Sequence, residues 1–412
     1  MPEPANGATA NPRTLLGWDF VQDPYAVYRG MRDDAPVHKV VVKTLTVELN
    51  AWVVTRYDDA RRLLADRRLS KDGDQMPRIV ERHKVGTERT DTPVVRNMLF
   101  SDPPDHTRLR RIMGRAFTVR RVQTMRPWIE RTVHELLDRV TPGAVTDVVR
   151  DIALTLPISV IGRLLGVPDD RHEDFRAWNG VLTSVTAGMA EKQAAFRAAG
   201  ACIAALIKAK RADPGDDLIG ALVEAGDGDE ALDDDELLST VFLVMNAGYE
   251  TTASMISSSV HALLVDPGAQ RALRADPALV PAAVEEFLRW ESPLNLATAR
   301  FTVAPVLVGD VVIPEDELVF ISLAAANRDP GRFTAPDRLD PARPANAHVS
   351  FGHGIHHCVG APLARLEGEV VLRALLDRFG SWELARPAAD LVWRNSLQFR
   401  ALDALPVRFH RV

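Results

Sequence analysis

A chain of 412 residues with 46% hydrophobic and 26% charged content has the make-up of a globular protein, neither fibrous nor disordered nor built of membrane spans. At this length folding removes roughly three-quarters of the unfolded surface from water, enough to enclose a cofactor without disulfide support. A net charge of −6 gives no general footing for nucleic acid or an anionic membrane, and the two cysteines, Cys202 and Cys358, exclude a disulfide framework and fit a reducing cytoplasm.

In chain order, residues 1–22 read as a flexible N-terminal extension. Met1 to Pro12 is rich in Pro, Ala and Asn, with neither a secretory signal nor an apolar run long enough for a bilayer. The expected location is the cytoplasm, with no membrane contact. Residues 23–412 read as a single domain, mainly α with a small β region, since no linker divides them. From Pro36 to Thr55 alternation around Val40-Val41-Val42 and Trp52-Val53-Val54 predicts strands, and Asp58 to Asp66 a helix. From Pro103 to Asp266 the pattern is almost wholly helical, broken at residues 141–143, 167–168, 213–215 and 226–236. Ala299 to Ile321 returns to short strands, so the β-rich edge spans about 36–56 and 297–321. An irregular stretch runs from Asp329 to Pro344, and a last helix follows Cys358.

Several residues along this path carry chemistry. In Asp102-Pro103-Pro104-Asp105-His106-Thr107-Arg108-Leu109-Arg110, a proline-started helix sets His106 and Arg110 on one face at i and i+4. The run from about Glu236 to Val265 is long and apolar, as befits a helix crossing the core. Within it, Ala247 and Gly248 remove bulk, the Thr251 hydroxyl, one turn on from Ala247, can bond a backbone carbonyl or loosen the ladder, and Glu250 supplies an ionisable group for moving protons. Helical spacing from Thr251 turns Ala247, Leu243 and Asn246 to the same side. Glu286 and Arg289 form an acid–base pair three residues apart, a common surface arrangement. Arg300 lies on a strand beyond that helix.

The segment Phe351-Gly352-His353-Gly354-Ile355-His356-His357-Cys358-Val359-Gly360-Ala361-Pro362 places one cysteine between a glycine-punctuated loop and a helix start. Free amides and the positive helix end favour a thiolate and a lowered pKa, while Gly352 and Gly360 allow close backbone approach by a flat cofactor. Cys358 also reads as a small buried hydrophobe, as most lone cysteines do. The neighbouring histidines raise zinc, against which stand their crowding and the lack of a CxxC partner. No GxGxxG, GxSxG or HExxH motif occurs.

On Phe351, Gly354, His356, Cys358 and Gly360 the sequence resembles the cytochrome P-450 haem-thiolate monooxygenases, whose signature is Phe-x-x-Gly-x-[His/Arg]-x-Cys-x-Gly. The Ala247-Gly248-Tyr249-Glu250-Thr251 run is similar to the family's oxygen-side pattern. The resemblance runs from about Asp23 to the C-terminus and is nearest to soluble actinomycete members of secondary metabolism. It implies one large P-450-type fold with haem b between the central helix and the cysteine loop. Cys358 is then the axial thiolate, Thr251 and Glu250 the catalytic pair, and His106, Arg110, Arg300 and His356 the propionate partners. Glu286 and Arg289 become a buried structural pair joined by Arg338. Leu296 and Leu397 complete the substrate wall, along with segments 70–99 and 177–194. The implied activity is insertion of one atom of dioxygen into a macrolide or other polyketide, a terpenoid or a steroid, the other reading being a haem sensor or carrier without turnover. Lacking a flavin or iron–sulfur module, the chain is expected to take electrons from a ferredoxin and ferredoxin reductase, docking at a patch of Arg108, Arg110, Arg111, Arg115, Arg120 and Arg121.

Overall fold

The computed structural model describes residues 14–43, 47–86, 97–183, 187–225, 231–344 and 347–411. Its axis is the 32-residue helix Asp234–Val265, about 48 Å long at the standard rise. The helix starts where it does because Asp233 and Glu236 cap each other: the Glu236 amide donates to Asp233 Oδ1 (2.7 Å) and the Asp233 amide to Glu236 Oε2 (3.2 Å). Its interior is unusually rich in hydroxyls for a buried helix. Ser254, Ser257 and Ser259 satisfy theirs on carbonyls one turn back, at 2.7–3.0 Å, so burial leaves these donors paired.

Helices surround this axis, and the helix Ala361–Arg378 that follows Cys358 packs against it. A seven-stranded sheet lies at one edge. It runs Thr14–Leu16, Val37–Lys43, Glu48–Val54, Leu318–Ile321, Arg300–Thr302 and Leu69–Ser70, with Lys84–Val85 added beside Glu48–Val54. The pairing of Leu318–Ile321 with both Glu48–Val54 and Arg300–Thr302 joins strands far apart in sequence and brings Arg300 into the interior.

Three expectations need correction. The described part of the N-terminal extension is ordered into the fold. Thr14–Leu16 pairs in parallel with Val37–Lys43 and Trp18–Gln22 is a helix, because Leu16, Phe20 and Val21 bury their side chains. The stretch read as wholly helical contains the strand Val145–Asp147, which joins Phe379–Leu384 and Pro406–Arg411 in a second sheet. Three-residue strands are too short for periodicity to reveal.

The third correction concerns the irregular stretch. Glu286 and Arg289 are fully buried and paired at 2.7 and 2.8 Å, but Arg338 does not join them through its side chain. It is exposed, and only its carbonyl accepts from Arg289, at 3.2 Å. The third side chain is Arg343. Its Nε meets both Glu286 oxygens at 3.1 Å, and its Nη atoms donate to the carbonyls of Thr334, Ala335 and Arg338. Arg343 thus folds the stretch around the carboxylate, a reach across 57 residues that local sequence does not mark.

The chain ends are tied to each other. Arg400 donates to Glu291 (2.9 Å) and to the Val21 carbonyl (2.5 Å), and its guanidinium lies 3.5 Å from the centre of the Trp393 ring. The Gln22 side-chain amide pairs with the backbone of Trp393 in both directions, at 2.8 and 3.0 Å.

Candidate active site

Between the central helix and the cysteine loop lies a cavity of about 1730 Å³. Cys358 opens onto it from below, at the N-terminal end of Ala361–Arg378, with Phe351, Gly352 and Gly360 beside it. The loop holds its path because the Cys358 amide donates to the Phe351 carbonyl at 2.9 Å. Gly354 sits at φ +75°, where an added Cβ would stand 2.9 Å from the Ala65 Cα; both the angle and the space admit only glycine.

Cys358 is accessible through the cavity it faces, while protein encloses it elsewhere. That enclosure corrects the expected lowering of its pKa. Burial pushes the thiol up, and the opposing pull of the Gly360 and Ala361 amides, Arg110 and Arg365 does not outweigh it. The donors around it are those a sulfur anion needs.

Across the cavity stand Leu243, Asn246, Ala247, Gly248, Glu250 and Thr251. The Thr251 hydroxyl donates to the Ala247 carbonyl at 2.6 Å, which turns its lone pairs outward. Ala247 is the residue that opens the wall. Gly248 has a second cause, since a Cβ there would lie 2.5 Å from Ile161 Cδ1, so its missing side chain also lets helix Thr155–Leu165 approach. Asn246 spends its amide N–H on Phe242 O at 2.9 Å, leaving its oxygen as the polar handle. Glu250 is buried and bonded by Arg394. Burial raises its carboxyl above the ordinary range despite that cation. Sequence reasoning missed Arg394, which arrives from 144 residues away. Leu296 and Leu397 line the same space. Of the further wall segments expected, residues 87–96 and 184–186 lie outside the described residues.

One end of the cavity is cationic. His106, Arg110, Arg300 and His356 converge there, the two imidazoles stacking edge to face at 4.4 Å. They are joined by Lys71, which nothing beside it in the chain marks out. Burial drops Arg300 to about 10, and burial with the nearby Lys71, Arg300, His106 and Arg110 drops His356 to about 2. His106 Nε2 and Arg300 Nε are buried without a partner. Asp102, bonded to Ser70, is the carboxylate these groups feel. Buried cations facing unmatched donors into one space require an anion there. A flat cofactor with two carboxylates at its edge and an iron at its centre fits this donor set. Zinc does not: among the described residues no three His, Cys, Asp or Glu groups could hold a metal.

The arginine patch expected near residue 110 is largely spent. Arg108 pairs with Glu236, Arg121 bonds Asp216 (2.8 Å) and the Ala116 carbonyl (3.1 Å), and Arg110 points into the cavity.

Comparison with known proteins agrees with this geometry. The family model described as Cytochrome P450 matches residues 167–387. Cytochrome P450 107B1 of Saccharopolyspora erythraea is 45% identical, covering 96% of this chain and 97% of its own. The 6-deoxyerythronolide B hydroxylase of the same organism is 41% identical, covering 94% and 96%. The tirandamycin C-bound structure of the monooxygenase TamI superposes with a TM-score of 0.88 at 40% identity, covering 96% of this chain and 100% of that one.

Proposed function

The chain belongs to the cytochrome P450 family, and on that premise we propose that Cys358 is the axial ligand of its haem b and that its substrate is a macrolide or other polyketide. Members of the family are monooxygenases, which settles the enzyme class against a sensor or carrier. Thiolate-bound haem supplies dioxygen activation, with one oxygen atom passing to the substrate and the other to water.

The residues of the chain divide the remaining work. Cys358, with the amides of Gly360 and Ala361 behind it, presents the sulfur. Arg110 and Arg300 neutralise the two carboxylates at the cavity edge, His106 and His356 donate hydrogen bonds to them as neutral imidazoles, and Phe351, Gly352 and Gly360 leave room for a flat ring. Thr251, its proton committed to Ala247, offers lone pairs toward the cavity and can accept a hydrogen bond there. Glu250, with its carboxyl raised by burial, is suited to take up and release a proton beside Thr251. Leu243, Asn246, Leu296 and Leu397 shape the distal wall, apolar except for the Asn246 oxygen. The substrate class is supported by the cavity size and by the names of two relatives, one a hydroxylase of 6-deoxyerythronolide B, the other a monooxygenase bound to tirandamycin C.

Electrons come from a redox partner, for which a small acidic ferredoxin with its reductase is our reading. The two cysteines of the chain cannot hold an iron–sulfur cluster of its own. With Arg108 and Arg121 already paired, we expect only a moderate fall of the reduction rate with salt. Among the described residues no helix is long and apolar enough to cross a membrane, and we take the protein to act in the cytoplasm.

The observation that carries the reading is one cavity with Cys358 on one face, Thr251 on the other and unmatched cations at its end. The test is the spectrum of the purified, reduced, carbon monoxide-bound protein. The strongly red-shifted Soret band of thiolate haem is expected, and Cys358→Ser abolishes it. A colourless wild-type protein would overturn the assignment.

A further inference from the structure

Lys71 faces the cavity with only 1% of its surface exposed. Strand Leu69–Ser70, paired with Arg300–Thr302, carries it inward, and its backbone amide is held by Asp102 at 3.3 and 3.4 Å. The ammonium lies over the Phe100 ring, 5.7 Å from its centre. Among the described residues this ammonium makes no hydrogen bond or ion pair. Burial and the charge of Arg300 both work against its positive form, and only Asp102 favours it. A lysine needs no such position for packing, since a methionine would fill the same space without desolvating a charge. In the antiparallel pairing Leu69 stands opposite Thr302 and Ser70 opposite Phe301, which sets Lys71 beside Arg300 at the cationic end of the cavity.

We propose that Lys71 is a further cation for the carboxylates of the cofactor, its ammonium donating to a propionate beside His106, Arg300 and His356. This rests on the haem reading above. The carboxylate supplies the acceptor that the protein withholds, and the pair gains strength from exclusion of water. Asp102, bonded to Ser70 and to the Lys71 amide, fixes the strand end from which the side chain reaches.

The test compares the holoprotein with Lys71→Met and Lys71→Arg by the rate at which haem passes to excess apomyoglobin. Loss of one charge-assisted hydrogen bond should speed transfer from Lys71→Met about tenfold or more, with Lys71→Arg much closer to wild type. Reconstitution with the dimethyl ester of iron protoporphyrin should erase the difference between wild type and Lys71→Met, because the ester has no anion for the lysine. Equal transfer rates with ordinary haem would overturn the proposal, as would a difference that persists with the ester, which would indicate packing. A Lys71→Met protein that keeps its haem but loses affinity for carboxylate-bearing ligands would overturn it in favour of a substrate contact. Failure of the haem reading itself would show separately, as a wild-type protein without the red-shifted Soret band.

Discussion

Arg394→Gln removes the cation bonded to Glu250, whose side chain is 4% exposed. Truncating one partner of a buried pair costs about 3–5 kcal/mol when the other charge is stranded. Glu250 has an exit, which is to take a proton, and its carboxyl already sits above its ordinary value of 4.5 because burial outweighs Arg394. Without Arg394 it rises further. A carboxyl whose folded pKa lies above its unfolded one costs nothing below about pH 4.5, where both states hold the proton. Above that, stability falls by about 1.4 kcal/mol per pH unit until the folded pKa is reached. Wild type shares this fall up to its own folded pKa, so the deficit of Arg394→Gln is near zero at pH 4.5 and opens only above the wild-type pKa of Glu250, growing there by up to about 1.4 kcal/mol per pH unit. Urea denaturation from pH 5 to 8 should show variant and wild type diverging as pH rises, and Glu250→Gln in the same chain should remove the divergence. If Glu250 moves protons in turnover, the alkaline limb of the rate profile of Arg394→Gln also shifts upward. Parallel stability curves would refute the reasoning, since Glu250 would then be indifferent to its partner.

Other outcomes follow from single contacts. Thr251→Ala should retain haem yet divert electrons to peroxide, lowering product formed per electron consumed; unchanged coupling would remove Thr251 from the oxygen side. Arg343→Ala should cost about 3 kcal/mol in urea denaturation, because it frees one side of a fully buried Glu286 and three carbonyls. Arg338→Ala, with an exposed side chain, should cost under about 0.5 kcal/mol. Burial alone would raise Glu285, but hydrogen bonds from His348 and Arg365 bring it to about 2. Its folded pKa is depressed, so its contribution is full above about pH 4.5 and drains away toward pH 2. Glu285→Gln should then lose about 2–3 kcal/mol at pH 7, with the gap to wild type narrowing in denaturation measured near pH 3.5.

What sequence made legible was local. The cysteine loop and the Ala247 to Thr251 run are contiguous, so the residue types and their spacing carry the chemistry, and helical periodicity places Leu243 with Thr251. What it hid was reach. Arg343, Arg394 and Lys71 act on partners in other segments, and nothing beside them in the chain tells a buried cation from a solvated one. The thiol of Cys358 misled for a related reason: the helix start that lowers a pKa is visible in sequence, whereas the enclosure that raises it is made by the fold. Gly248 was read through the cavity alone because Ile161, which claims its missing side chain, lies 87 residues earlier.

The tie between the chain ends also bears on how this protein should be handled. Arg400 grips Val21, and Gln22 grips Trp393, while residues 394–399 between those anchors line the cavity. Residues 21 and 22 are thus part of a brace for the distal wall. A purification tag placed ahead of Thr14 leaves that brace in place. Trimming the chain through Gln22 releases it, and the change should register first as altered choice among substrates, before any loss of solubility or yield.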